Sequence, residues 1–341
     1  MKKNKNLGLL ILLSFSMISL FSCKKDANRE DVAKKTSSNA VTVENGYLKF
    51  RDQKTFDSLI NILLKANGTH PLVIKNSEGF KSYKEFYLEV EKEFSNLNDD
   101  LSFKKFQTKY SGLVEIKADS SISYKFGTPL SALFTNINGE VKIGDMMIVY
   151  NKKGKIISYV GQKKSELELE NIKKTDSSKN IYVQNLSIKN RILAGTPVNG
   201  PTSTSVISSQ LYYNEDGKRR LFVDLWADST PRTDSETNNN ITPIIRYYFT
   251  SRQELKRTFG GWRTNETDYY FSNLNYNYSI ANPPMLTENI NFNLPYYSVG
   301  SATGPIIVDL GSKVGYLMST LKGAGRFYSG GVPNAPLFSI N

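Results

Sequence analysis

Thr267-Asp268-Tyr269-Tyr270-Phe271-Ser272-Asn273-Leu274-Asn275-Tyr276-Asn277-Tyr278-Ser279-Ile280 decides the fold of the C-terminal half. Its aromatic residues favour strands. Read with a period of two, Tyr270, Leu274, Tyr276, Tyr278 and Ile280 share one face, and Asn273, Asn275 and Asn277 share the other. One face should pack and the other meet water, as in an antiparallel sheet covered on one side.

Similar runs lie on both sides, at 205–213, 219–227, 243–250, 288–294 and 306–310. Turn signals separate them: Asn214-Glu215-Asp216-Gly217, Gly260-Gly261 and Asn282-Pro283-Pro284. Several strands so punctuated predict an antiparallel β-sandwich. Gly323-Ala324-Gly325 and Gly330-Gly331 have no following P-loop lysine and read as loops.

Upstream, Gly195-Thr196-Pro197-Val198-Asn199-Gly200-Pro201 opens a breaker-rich stretch that reads as a linker at 195–205. Before it the pattern is mixed. Tyr47-Leu48-Lys49-Phe50 alternates as a strand. Asp52 is placed to cap a helix whose face is Phe56, Leu59, Ile60, Leu63 and Leu64. Ser82 and Glu85 form a capping box ahead of Phe86, Val90, Phe94 and Leu97. A third helical stretch runs over 99–110. Strand-like runs follow at 113–118, 121–126, 142–150 and 155–160, with Asn151-Lys152-Lys153-Gly154 as a hairpin turn. The charged stretch 162–179 reads as surface or hinge. The fold class is therefore α+β: N-terminal helices with an antiparallel sheet in a domain at 45–194, then a mainly-β, sandwich-like domain at 206–341.

The chain opens Met1-Lys2-Lys3-Asn4-Lys5, followed by an uncharged apolar run over 7–21. That is the layout of a secretory signal. The run is short beside the ~20 residues a spanning helix needs. It ends Leu20-Phe21-Ser22-Cys23, which resembles the lipobox of bacterial lipoproteins. The resemblance implies cleavage after residue 22, a diacylglycerol thioether on Cys23 and an acylated amine. The other reading is an ordinary secretory signal with a stray Cys near its end. Lys24-Lys25-Asp26 resembles the cluster that follows the lipidated Cys in surface lipoproteins of Bacteroidetes-type bacteria, although Ala27 interrupts it. Residues 23–44 are polar and read as a flexible tether. Asn136-Ile137-Asn138-Gly139-Glu140-Val141-Lys142-Ile143-Gly144-Asp145 is similar to an N-x-x-G-E-x-x-I-G-D segment of Bacteroidetes lipoproteins of unknown function. The resemblance, with Tyr47-Leu48-Lys49-Phe50, covers the front half and implies a shared scaffold with no known activity. From the residues alone, Asn138-Gly139 and Gly144-Asp145 are turns. The expected location is the outer membrane, lipid-anchored and facing the cell surface, with the membrane as a partner through Cys23.

Composition excludes several chemistries. Cys23 is the only Cys and His70 the only His, so no disulfide, Cys-ligated metal or two-histidine metal site is available. Loss of the signal removes three lysines from a net charge of +12, leaving +9. The excess is confined to the front half, where Lys alternates with Glu and Asp as on a solvated surface. Nucleic acid is not an expected partner. Ser-His catalysis would need His70, and no G-x-S-x-G elbow exists. The Asp234, Glu236 and Asn238-Asn239-Asn240 run is rich in oxygen but lacks a calcium-loop pattern. No metal and no cofactor is expected.

Two functions remain. One is a noncatalytic module binding a glycan or a protein. Trp226, Trp262, Tyr269, Tyr276 and Tyr278 are the candidate binding residues, because sugar rings stack on aromatic faces and Asn amides bond to hydroxyls. Packing of these aromatics in a Tyr-rich core is the competing explanation, and the weightier one. The other function is a secreted, carboxylate-dependent glycoside hydrolase. Asp224/Asp228 or Glu266/Asp268 would then flank the bond. Two convergent acids in one pocket would favour the hydrolase.

Overall fold

A computed structural model describes residues 40–68, 79–187, 204–230, 244–257, 261–281, 287–314, 316–317, 321–332 and 337–340. The signal segment, Cys23, His70, the 195–203 part of the linker and the 234–240 run lie outside the described residues.

Val41–Glu44 (β1) and Tyr47–Phe50 (β2) make a hairpin over Asn45 and Gly46, both at positive φ. The end of the expected tether is thus a strand, because Val41 and Val43 alternate with polar neighbours and reach the core. Gln53–Lys65 (α1) starts as its sequence foretold, with the Asp52 carboxylate accepting from Thr55 N at 2.8 Å. Its apolar face, Phe56, Leu59, Ile60, Leu63 and Leu64, is buried. Tyr83–Ser95 (α2) begins at the Ser82/Glu85 capping box. Asp100–Tyr110 (α3) begins at Asp99. Both pack against a short hairpin, Val114–Ile116 (β3) with Ile122–Tyr124 (β4).

Glu140–Ile143 (β5), Met146–Asn151 (β6) and Lys155–Val160 (β7) form a meander. Gly154, at φ +73°, closes the last turn, and the Asn151 side chain accepts from Lys153 N and Lys155 N. β5 lies parallel to β2, so the front sheet is mixed and not purely antiparallel. The intervening helices and hairpin supply the long crossover that a parallel pair requires. Glu166–Asn171 (α4) is a surface helix that buries only Leu169.

Ile181–Ser187 (β8) pairs with β7, and it also pairs in parallel with Thr204–Tyr213 (β9). The sheet continues through Arg219–Thr230 (β10), Ile244–Lys256 (β11) and Trp262–Thr264 (β12), with Ile306–Val314 (β15) also on β11. The 195–205 stretch therefore separates chain segments that share one sheet. They share a core as well. Leu225, Tyr247, Phe249, Ile306 and Val308 face the C-terminal sandwich, while Trp226, Tyr248 and Ile307 face α1 and the front sheet. Alternation along β10, β11 and β15 sends apolar side chains to both faces, as a strand buried on two sides must.

A second sheet has the order Thr287–Thr303 (β14), Glu266–Ala281 (β13), Lys322–Ser329 (β17), Leu337–Ile340 (β18), with Tyr316–Leu317 (β16) at the end of β13. The inner faces of the two sheets meet in an aromatic core around Phe249, Phe271, Phe327 and Phe338. The architecture is α+β with a sandwich-like C-terminal region. β17 corrects the expectation of a loop at 323–325. A Cβ on Gly325 would collide with the Leu274 side chain, and one on Gly323 with Asn275 O and Tyr276. These glycines mark close strand approach, a role glycine has inside sheets as well as in loops.

Candidate binding face and a buried charged crevice

β13 does not keep one parity along its length. Tyr269 and Phe271 point inward, and so do Leu274, Tyr276 and Tyr278. The switch occurs at Ser272 and Asn273, which both face outward. Asn273 sits at φ +53°, and the register against β17 shifts by one residue between Ser272 and Asn275. This is a β-bulge, with two residues of β13 opposing one of β17. β14 switches in step: Ile290, Phe292 and Leu294 lie on the inner side, then Tyr297 and Val299. The bulge turns Tyr270 outward, against the expectation that it shares a face with Leu274 and Tyr276.

The outer face of this sheet therefore carries tyrosines at one end and amides at the other. Tyr296 is 63% exposed. Tyr270 and Tyr328 are half-buried and directly opposite one another on β13 and β17. Ser272 stands between Tyr296 on one side and Arg326 on the other. Three neighbouring strands thus each contribute one tyrosine, across roughly 10 Å of sheet. Beyond the bulge, Asn275 faces Asn293, Asn277 faces Asn291, and Ser279 faces Asn289 and donates to its side chain at 2.6 Å. All five asparagines are exposed. Each amide offers both a donor and an acceptor to a ligand. Lys322 and Arg326 are the cations on this side of β17, and Asp268 and Glu266 the acids at the far end of β13.

The five aromatics singled out from the sequence are core residues, and the sugar-stacking reading of them is corrected. Trp226 (6% exposed) donates Nε1–H to Thr250 Oγ1 at 3.0 Å and stacks on Tyr248. Trp262 (9%) lies under the Arg220 guanidinium, 4.2 Å from its ring centre. The Tyr269 hydroxyl accepts from Gln253 N at 3.0 Å, and the Tyr276 hydroxyl donates to Phe338 O at 3.2 Å. Tyr278 packs on Tyr247 with ring centres 4.5 Å apart. Large amphipathic rings suit a core as well as a surface, and here Trp226, Tyr269 and Tyr276 have their polar tips hydrogen-bonded. The proposed carboxylate pairs also dissolve. Asp224 is held by Ser209 at 2.5 Å and Asp228 by Thr128 at 3.0 Å. Four residues of strand put their positions about 13 Å apart, beyond either glycosidase spacing. Glu266 and Asp268 are exposed on the outer side of β13, and neither lines the crevice between α2, β11 and β12.

Among the described residues, a narrow crevice lies where α2 meets β11 and β12, lined by Glu91, Phe94, Glu254, Trp262, Arg263 and Thr264 among others. It is too narrow to hold a water molecule. Around it the charges interlock. Glu254 takes Arg220 Nε at 2.7 Å and Arg252 at 2.8 Å on its two oxygens. Arg220 also reaches Asp119 at 2.7 Å, and its guanidinium lies between Phe222 and Trp262. Arg263 sits 3.5 Å above the Phe94 ring and donates to Phe94 O at 3.0 Å. Glu91 Oε1 accepts from Thr264, while no donor reaches Oε2. Burial pushes the Glu91 carboxyl up to about 7, with Arg252 and Thr264 pulling against it. Sequence reasoning missed this cluster. One signal was present: Tyr87, Glu91 and Phe94 follow helical spacing, which sets a carboxylate in an apolar stripe.

Among the described residues, no group of three or more His, Cys, Asp and Glu is placed to hold a metal. No protein-family model matches the chain, and no curated protein matches it. It is similar to the crystal structure of a DUF4848 family protein from Bacteroides thetaiotaomicron, at 17% identity over 86% of this chain and 96% of that one, with a TM-score of 0.25. A likeness of that size leaves the face and the crevice to be read from their own chemistry.

Proposed function

We propose that the chain is a lipoprotein anchored in the outer membrane through Cys23, displayed at the cell surface, whose body is a noncatalytic module binding a neutral glycan. The anchor rests on the basic stretch, the apolar run and the Leu20-Phe21-Ser22-Cys23 motif. The observation that carries the binding role is the outer face of β14, β13 and β17. There Tyr296, Tyr270 and Tyr328 offer apolar rings beside a field of asparagine amides. Rings of sugar present C–H faces for stacking and hydroxyls for amide hydrogen bonds. The near balance of charge on this face favours an uncharged ligand. The hydrolase reading has one observation in its favour, since Glu91 and Glu254 line the same crevice. Glu254 is occupied by two arginines, and a crevice closed to water admits no glycosidic bond.

The test is a glycan array followed by calorimetry on the full chain, beside Tyr296→Ala, Tyr328→Ala and the double variant. Loss of at least tenfold in affinity is expected for the double variant, and none for Leu167→Ala on the far surface of α4. Binding that survives the double variant, or sugar release abolished by Glu91→Gln, would overturn the reading. The anchor is tested separately by labelling cells with a fatty-acid analogue. Cys23→Ser should remain unlabelled, and a labelled variant would refute the assignment.

A further inference from the structure

β14 is the edge of the second sheet, and it is long. It runs for 17 residues and pairs along its whole length with β13 on one side. Among the described residues no strand pairs with its other side. An edge strand leaves alternate N–H and C=O groups pointing away from the sheet, ready for another strand. Proteins usually blunt such edges with lysine, proline or a bulge. In β14 those devices sit in the C-terminal half, as Pro295 and the irregularity at 299–300. The 287–294 segment, Thr-Glu-Asn-Ile-Asn-Phe-Asn-Leu, carries one acid and none of them.

The segment also stops short of completing its core. Across the ladder, Leu274, Tyr276 and Tyr278 of β13 are sealed. Their partners Leu294, Phe292 and Ile290 on β14 are only half-buried. Among the described residues no strand covers the flank where the inner apolar stripe runs out, and one more strand would complete it.

We propose that 287–294 pairs antiparallel with the same segment of a second copy of this chain. The alternation is self-complementary. A two-fold axis at Asn291 sets Asn289 of one copy opposite Asn293 of the other, and Ile290 opposite Phe292. The amide row already present between β13 and β14 then continues across the axis, and the apolar stripes of the two sandwiches join. The same axis leaves Pro295 at the end of the pairing, where its missing N–H does no harm. A segment with so little charge has nothing to repel its copy and little to attract a basic or acidic partner. One strand pair buries less than a standard interface, so the dimer is weak and concentration-dependent.

The test uses the single-cysteine character of the chain. In a Cys23→Ser background, Asn291→Cys places the thiols of two copies on the axis, where facing positions of an antiparallel pair lie within disulfide reach. Asn275→Cys, equally exposed but one strand inward, is the control. Mild oxidation should give a covalent dimer for Asn291→Cys at least ten times faster than for Asn275→Cys. Sedimentation of the full chain at rising concentration should show a dimer that Asn289→Lys/Asn293→Lys abolishes with the circular dichroism unchanged. Equal cross-linking rates, a monomer at every concentration, or Asn291→Cys trapped only on some other protein's strand would each overturn the proposal.

Discussion

Replacing Glu91 by glutamine separates charge from burial at the junction of α2 and β12. The carboxyl lies against Thr264, Arg252 and Arg263, and burial raises it from an ordinary 4.5 to about 7. Between those two values the folded chain keeps a proton that the unfolded chain has released. The stability owed to this group is therefore complete below pH 4.5 and is lost as the pH rises to about 7. The displacement corresponds to about 3 kcal/mol. Glutamine keeps Oε1 for the Thr264 hydroxyl but replaces Oε2 with an NH₂ that meets no acceptor, a loss of about 1–3 kcal/mol at any pH. Urea unfolding of both proteins at pH 5, 6, 7 and 8 reads only their difference, so the other titrating groups cancel. Glu91→Gln should be the less stable at pH 5 and should improve relative to the parent by about 2.5 kcal/mol by pH 8. A difference constant to within about 0.5 kcal/mol across that range would show that Glu91 stays ionised in the fold, and the argument from burial would fail.

Trp226→Ala removes a side chain that ties β10 to α1, at about 3–5 kcal/mol. Far-ultraviolet dichroism of the front helices and near-ultraviolet dichroism of the tyrosine-rich sandwich should shift together on urea unfolding, because the halves share a core. A shift in one signal alone would mean they fold separately. Gly325→Ala should lose about 1–3 kcal/mol through collision with Leu274. Gly112→Ala, whose added methyl meets nothing, should stay within about 0.5 kcal/mol. Equal melting points for these two variants would refute the close approach of β17 to β13.

Local signals in the chain reported local structure well. Asp52, Ser82 with Glu85, and Asp99 set helix starts through hydrogen bonds spanning three residues, and each cap is where its side chain and spacing place it. β9, β10, β11, β13 and β15 lie where alternation and turn residues put them, because period and turn chemistry act within a few positions, whereas β17, β18 and the second half of β14 were not among the expected strands. What alternation could not carry was its own interruption. The bulge at Ser272 and Asn273 is a fact of pairing with β17, and it turned Tyr270 from core to surface. Trp226, Trp262, Tyr269, Tyr276 and Tyr278 were visible as a group of aromatics. Their burial depended on which strands faced which sheet. Glycines 323 and 325 read as a loop because their cause is a neighbouring strand distant in sequence. The Glu91, Arg220, Arg252, Glu254 and Arg263 cluster joins segments more than a hundred residues apart, and only their meeting makes a buried carboxyl and its arginines one site. The sequence by itself determined composition, the excluded metal and thiol chemistries, the caps and the strand periods. Tertiary structure alone decided where β13 changes face and which of its tyrosines met water, since a one-residue bulge reverses every side chain beyond it.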